Sequence, residues 1–160
     1  MQLLLLRHGD AVPGGYDDAS RPLSAMGKDQ SGIVARAMKH LELAPDIIYS
    51  SPLMRAKQMA SIIGEGLAIT DLRVTEYLVP GAEMPRLIDE LNASGAGSVL
   101  LVGHEPHLHT LLSVLLTDSS SLHMHFGNGT LACIEVRTPI QSGTGTLEWL
   151  LRIEEMELME

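Results

Sequence analysis

Four residues of this sequence have the types and positions that phosphoryl chemistry requires. Arg7 and His8 end an apolar run, Arg55 follows Ser51-Pro52-Leu53-Met54, and His104 follows Val102-Gly103. A guanidinium presents a planar fork that pairs with two phosphate oxygens at once. A neutral imidazole beside such a phosphate can attack phosphorus, making a phosphohistidine and dividing one displacement into two. The transfer itself demands stabilisation of charge on the phosphoryl oxygens, which two arginines and a second histidine supply without a metal. Arg-His-Gly alone is a short pattern; its conjunction with Ser50-Ser51-Pro52-Leu53-Met54-Arg55-Ala56 and Val102-Gly103-His104-Glu105-Pro106 carries the reading.

These groups can meet only if the fold brings their flanking segments together. Met1 to Leu6 is a continuous apolar run and predicts a strand buried on both faces. The stretch Gly9 to Leu23 holds Pro13, Gly14, Gly15 and aspartates, all turn formers. Ser24 is placed to cap a helix whose apolar residues Ile33, Val34, Ala37, Met38 and Leu41 recur at helical spacing, and Pro45 ends that unit. Ile47 to Ser51 predicts a second strand, with Pro52 in the first turn of a helix running to about Leu67. A short strand near Arg73 to Thr75, a turn at Pro80-Gly81 and a helix over about Pro85 to Ala93 follow. Ser98 to Val102 is the next buried strand, then a helix near Leu108 to Leu116, a strand over Thr130 to Arg137, a turn at Gly143 to Gly145 and a last strand through Trp149. This alternation predicts an α/β fold with a mostly parallel sheet and helices on both faces. In such a sheet ligands bind beyond the carboxyl ends of the strands, and Arg7, His8, Arg55 and His104 all sit at such ends.

Composition narrows the function classes. The chain has 160 residues and a net charge of −9, from 20 acidic and 11 basic side chains. That balance argues against a nucleic-acid partner, which is held by a surplus of Lys and Arg. With 45% hydrophobic but only 3% aromatic residues, the core must be aliphatic. The single cysteine, Cys133, has no intramolecular disulfide partner and fits a reducing compartment. The leading apolar run is too short for a signal peptide, and no stretch is apolar enough to span a membrane, so the expected location is cytoplasmic, with no membrane partner. The acidic tail from Glu148 to Glu160, five Glu against one Arg, reads as solvated surface.

Leu6-Arg7-His8-Gly9-Asp10, Arg21-Pro22-Leu23-Ser24, Ser51-Pro52-Leu53-Met54-Arg55-Ala56-Lys57-Gln58 and Gly103-His104-Glu105-Pro106 together resemble the histidine phosphatase superfamily, and within it the small SixA-like phosphohistidine phosphatases. The resemblance implies a three-layer α/β/α sandwich of the phosphoglycerate mutase-like kind, with His8 as nucleophile and Arg7, Arg55 and His104 completing the phosphate pocket. It places Arg21 at the pocket entrance as a substrate-binding residue. Many members of the superfamily protonate the leaving group with a carboxylic acid set among aromatic and glycine residues, and no such motif occurs here. Glu76, between the third strand and its helix, and Glu105, directly after His104, are the candidate proton donors. Imidazole leaves phosphorus more readily than an alkoxide does, so a weak acid element favours a P–N substrate. The connection from Thr75 to about Pro85 leaves little material for a lid, which predicts one domain over residues 1–160 with an open pocket. The expected partner is a phosphohistidine-bearing protein of the phosphotransfer or phosphocarrier type, together with phosphate, and no cofactor is implied.

Three other readings compete. A small-molecule phosphomonoesterase or mutase could share the fold, although a mutase must shield its phosphoenzyme from water. A non-catalytic phosphate-binding module could keep the pocket without the chemistry. A metallohydrolase is suggested by His104, His107 and His109 with His123 and His125, but His104 and His107 lack the His-Glu-x-x-His helical spacing, and His109 and His40 read as surface or cap residues.

Overall fold

Leu3, Leu4, Leu5 and Leu6 are wholly buried, yet they serve two different cores. Because side chains alternate across a strand, Leu3 and Leu5 pack with Val99, Leu101, Leu108 and Leu111 on one face. Leu4 and Leu6 pack with Val34, Met38, Met59 and Ile63 on the other. A strand with helices on both sides has no polar face, which is why the sequence shows an unbroken apolar run there.

The computed structural model describes residues 1–159. Its strands are β1 (Gln2–Arg7), β2 (Ile47–Ser50), β3 (Leu72–Val74), β4 (Ser98–Gly103), β5 (Leu131–Glu135) and β6 (Thr146–Leu151). Its helices are α1 (Ala25–His40), α2 (Met54–Leu67), α3 (Met84–Ser94), α4 (His107–Thr117) and α5 (Ile153–Glu157), with a 3-10 turn over Glu76–Leu78. The six strands run in the order β3-β2-β4-β1-β5-β6. The pairs β2–β3, β2–β4 and β1–β4 are parallel, while β1–β5 and β5–β6 are antiparallel. Residues of α1, α2 and α5 cover one face and residues of α3 and α4 the other, giving the three-layer α/β/α sandwich. The chain passes from β1 across to β2 and β3, then returns to insert β4 between β2 and β1. Arg7 is therefore paired with Gly103, and Ser50 with Val102, so three carboxyl strand ends lie side by side.

Three local expectations are corrected. Pro52 lies ahead of α2, whose N-cap is Leu53; the Leu53 N–H donates instead to Ser51 Oγ at 3.3 Å. The third strand sits one residue earlier, at Leu72–Val74, and is exposed along its length. The acidic tail is not simply solvated surface. It continues β6 and then forms α5, whose Met156 is buried in the core beside α1 and α2; the final residue of that tail, Glu160, lies outside the described residues.

The start of α1 fixes the loop after β1. Ser24 caps the helix by accepting the Gly27 N–H at 3.1 Å, and its hydroxyl donates to Asp10 Oδ2 at 2.5 Å. Gln30 Oε1 accepts the Asp10 N–H at 2.7 Å. The approach is so close that a Cβ on Gly27 would stand 2.0 Å from the Asp10 carbonyl oxygen, and a Cβ on Gly9 would stand 2.8 Å from the Gly27 carbonyl oxygen. Gly27→Ala is expected to destabilise the fold by about 1–3 kcal/mol, the usual cost of overpacking. The measurement is the urea midpoint at unchanged m-value, and an unaltered midpoint would contradict the close packing.

Candidate active site

At the carboxyl ends of β1, β2 and β4 lies a cleft of about 290 Å³ lined by Arg7, His8, Arg21, Arg55, His104 and Glu105, with Asp10 and Asn128 at its wall. His8, Arg55 and His104 are buried at 8%, 4% and 2% exposure. The rings of His8 and His104 lie 4.9 Å apart between centroids and are tilted by 54°.

The hydrogen bonds of His8 assign its tautomer. Nδ1 lies 2.6 Å from the Gly9 carbonyl oxygen, which can only accept, so Nδ1 carries the proton. Nε2 then holds the lone pair, and it receives the Arg55 Nε–H at 3.3 Å. Burial, joined by the fields of Arg55, Arg7 and Arg21, lowers the His8 pKa to about 4, against the Gly9 hydrogen bond that raises it. A neutral imidazole with its Nε2 lone pair in an arginine-lined cleft is a nucleophile in the required state.

His104 is held by Ser51, whose Oγ lies 2.5 Å from His104 Nε2. With the Ser51 hydroxyl, which also accepts the Leu53 N–H, donating to Nε2, the His104 proton sits on Nδ1. Nδ1 is buried and has no partner within the protein, so His104 offers a donor. Burial, with smaller contributions from His8 and Arg55, lowers its pKa to about 3.

The arginines are oriented from several sides. Arg7 Nη1 donates to the Phe126 carbonyl at 3.0 Å. Arg55 Nη1 donates to the Asp18 carbonyl at 2.8 Å, and its Nη2 lies 3.4 Å from Asp18 Oδ2. Arg21 bonds the same carboxylate through Nε and Nη2 at 3.3 and 3.1 Å, and that hydrogen bonding, more than the charge of Arg55, holds the Asp18 carboxyl below its usual range.

Of the residues singled out in the sequence, Arg7, His8, Arg21, Arg55, His104 and Glu105 meet in one cleft; Glu76 does not. Glu76 is exposed in the 3-10 turn and lines a separate groove with Tyr77, Glu83 and Arg86. Burial pushes the Glu105 carboxyl above its usual range, against the His109 N–H that donates to its Oε1 at 2.9 Å. His107 and His109 are turned to the carbonyls of Tyr77 and Leu122. Among the described residues no three His, Cys, Asp or Glu side chains gather to hold a metal ion, and no helix is long and apolar enough to cross a membrane. A larger groove of about 460 Å³ beside α1 and α5, with Arg36, Lys39 and His40 at its rim, contains none of the converging groups above. Sequence reading missed Asp18 as the tie between Arg21 and Arg55, and it missed Asn128. Asn128-Gly129 reads only as a turn dipeptide, and nothing local says that it returns to His8.

Two buried neutral imidazoles make stability depend on pH. The unfolded chain protonates its histidines near pH 6.5, above the folded values of about 4 and about 3. As pH falls the unfolded state therefore binds protons first. Their stabilisation is complete above about pH 6.5 and is lost as pH falls toward the folded values. The unfolding free energy should drop by an amount on the order of a few kcal/mol between about pH 7 and about pH 4. Denaturant titrations at the two ends measure it, and coincident midpoints would contradict neutral burial.

A model of the histidine phosphatase superfamily (branch 1) matches residues 3–79. The phosphohistidine phosphatase SixA of Escherichia coli K12 is 28% identical over 153 residues, covering 93% of this chain and 92% of that protein. A solved structure of the protein histidine phosphatase SixA complexed with tungstate superposes with a TM-score of 0.86 at 27% identity, covering 96% of this chain and 97% of the other. The α-ribazole phosphatase of Shigella flexneri shares the fold, with a TM-score of 0.73 at 18% identity over 96% of this chain and 97% of its own.

Proposed function

Since the chain belongs to the histidine phosphatase superfamily, we propose that it is a metal-independent phosphohistidine phosphatase acting through a phosphoenzyme on His8. The observation that carries this reading is the state of His8: Nδ1–H spent on the Gly9 carbonyl, Nε2 unprotonated beside Arg55 in the cleft. Arg7, Arg55 and the Nδ1–H of His104 hold the phosphoryl oxygens, with Arg21 at the entrance. His8 Nε2 attacks in line, and water then hydrolyses the phosphorylated ring. The solved SixA structure holds tungstate, a tetrahedral oxyanion of the kind such donors accept. We take residues 1–160 as a single domain without a lid, since only the 3-10 turn and residues 79–83 join Thr75 to α3. An unlidded cleft admits a phosphohistidine presented by a partner protein of the phosphotransfer or phosphocarrier type.

A second reading, a small-molecule phosphomonoesterase, is favoured by one observation. Glu105 places a carboxyl of raised pKa in the cleft, where it can hand a proton to an alkoxide leaving group. The two readings separate in one assay: turnover of a phosphohistidine protein against phosphoglycerates and sugar phosphates. Clear preference for the small esters would overturn the first.

A further inference from the structure

Three buried side-chain polar atoms among the described residues lack a partner within the protein: Arg7 Nε, His104 Nδ1 and Asn128 Oδ1. All three belong to residues lining the catalytic cleft. The first two are donors and suit the phosphoryl group, whose oxygens accept. Asn128 Oδ1 is an acceptor, and a phosphoryl dianion has nothing to give it. A buried acceptor gains from a partner, and a ligand that brings a donor as well as its oxyanion supplies one.

The turn that carries Asn128 is fixed by the residues on either side of it. Gly129 N–H donates to the Arg7 carbonyl at 3.1 Å, and Arg7 N–H donates to the Thr130 carbonyl at 3.1 Å. Arg7 Nη1 reaches the Phe126 carbonyl. Gly129 sits at φ +72°, and a Cβ there would lie 2.5 Å from Ile153 Cδ1 of α5, so the C-terminal helix braces the turn from behind. Asn128 also lines a neighbouring cavity of about 240 Å³, giving room for whatever carries the phosphoryl group.

Resting on the phosphohistidine reading above, we propose that Asn128 Oδ1 accepts the far-side N–H of the substrate's phosphorylated imidazole and so selects P–N substrates over phosphate esters. The chemistry balances without an acid. The substrate ring enters as a phosphoimidazolium with a proton on its free nitrogen. His8 Nε2 donates its lone pair to phosphorus, the P–N electron pair returns to the substrate nitrogen, and the substrate leaves as neutral imidazole, keeping its N–H. His8 is now the phosphoimidazolium, its own far-side N–H on the Gly9 carbonyl. Donor and acceptor rings are thus matched, each holding its proton on an amide oxygen.

The test compares kcat/KM for 1-phosphoimidazole, 1-phospho-3-methylimidazolium, which has no N–H, and p-nitrophenyl phosphate. Measurements use the wild type and the Asn128→Ala and Asn128→Asp variants. The ratio of phosphoimidazole to aryl phosphate should fall about tenfold to a hundredfold in Asn128→Ala, the scale of a hydrogen bond to a charged group. The wild type should reject the methylated probe and the Ala variant should not. Asn128→Asp, which keeps the acceptor, should retain the ratio. An equal loss on both substrate classes in both variants would mean that the amide N–H₂ faces the phosphoryl group, and would overturn the proposal. A wild type active on the aryl ester but on neither phosphoimidazole nor a phosphohistidine protein would overturn the function itself.

Discussion

His8→Ala should lower turnover by about 10⁴-fold or more, the scale on which removal of a covalent nucleophile is felt. The reason is specific to its place. His8 presents its unprotonated Nε2 to the cleft beside Arg55 Nε, whereas His104 Nε2 is turned to the buried Ser51 hydroxyl. No neighbour can take over. Alkali-quenched, acid-labile labelling from a phosphohistidine protein should mark the wild type and leave the variant unlabelled. His8→Gln supplies a companion that fills the space and can still accept from Arg55 Nε, so loss of activity in both variants with retained thermal stability separates chemistry from folding. Near-normal turnover in either would sink the assignment. The same geometry sets the pH profile. The acid limb of kcat/KM should lie near the folded His8 value of about 4, not at the ordinary imidazole value of about 6.5, and a limb at the ordinary value would mean that the ring is not desolvated.

That displacement marks where sequence reading stops. The Leu3–Leu6 run announced a strand buried on both faces, Ser24 announced a helix start, and the strand ends located Arg7, His8, Arg55 and His104, because each inference used a local property of the chain. The pKa of His8 depends on burial and on the charges of Arg55, Arg7 and Arg21, of which only Arg7 is its neighbour in sequence. Asn128 is brought to the cleft by the backbone bonds of its neighbours Gly129 and Thr130 to Arg7, across more than a hundred residues, and Glu76, next to the right strand in sequence, points to another groove. The acidic tail misled for the same reason. Its net charge suggested solvent, whereas the spacing of Ile153 and Met156 lets a short helix bury one face against α1 and brace Gly129. The whole-chain charge of −9 likewise hid a cleft in which three arginines gather, two of them tied by Asp18.

Arg55 should be the second most costly residue to lose, and its loss should show in two independent readouts. The guanidinium serves His8 through Nε and Asp18 through both terminal nitrogens while lining the cleft. In the transition state charge spreads over the phosphoryl oxygens, and a buried cation beside it is worth more than in water. Arg55→Ala should therefore cost about 3–4 kcal/mol of transition-state binding, or about 10²–10³-fold in kcat/KM. Arg55→Lys should recover little of this, because a lysine cannot hold the nucleophile through one nitrogen and the oxyanion through others. The second readout is electrostatic. Burial is the main cause of the depressed His8 pKa and the Arg55 charge a lesser one, so Arg55→Ala should move the acid limb toward higher pH, whereas Arg55→Lys, which keeps a charge, should move it less. A merely structural arginine would lower activity without shifting that limb. Asp18→Asn provides the contrast. It weakens the tether on Arg21 and Arg55 and removes the anion competing for them, so inorganic phosphate and vanadate should inhibit this variant at lower concentration than the wild type. Unchanged inhibition there, with an Arg55→Lys variant within about threefold of wild type, would mean that Arg55 serves the fold and not the phosphoryl group.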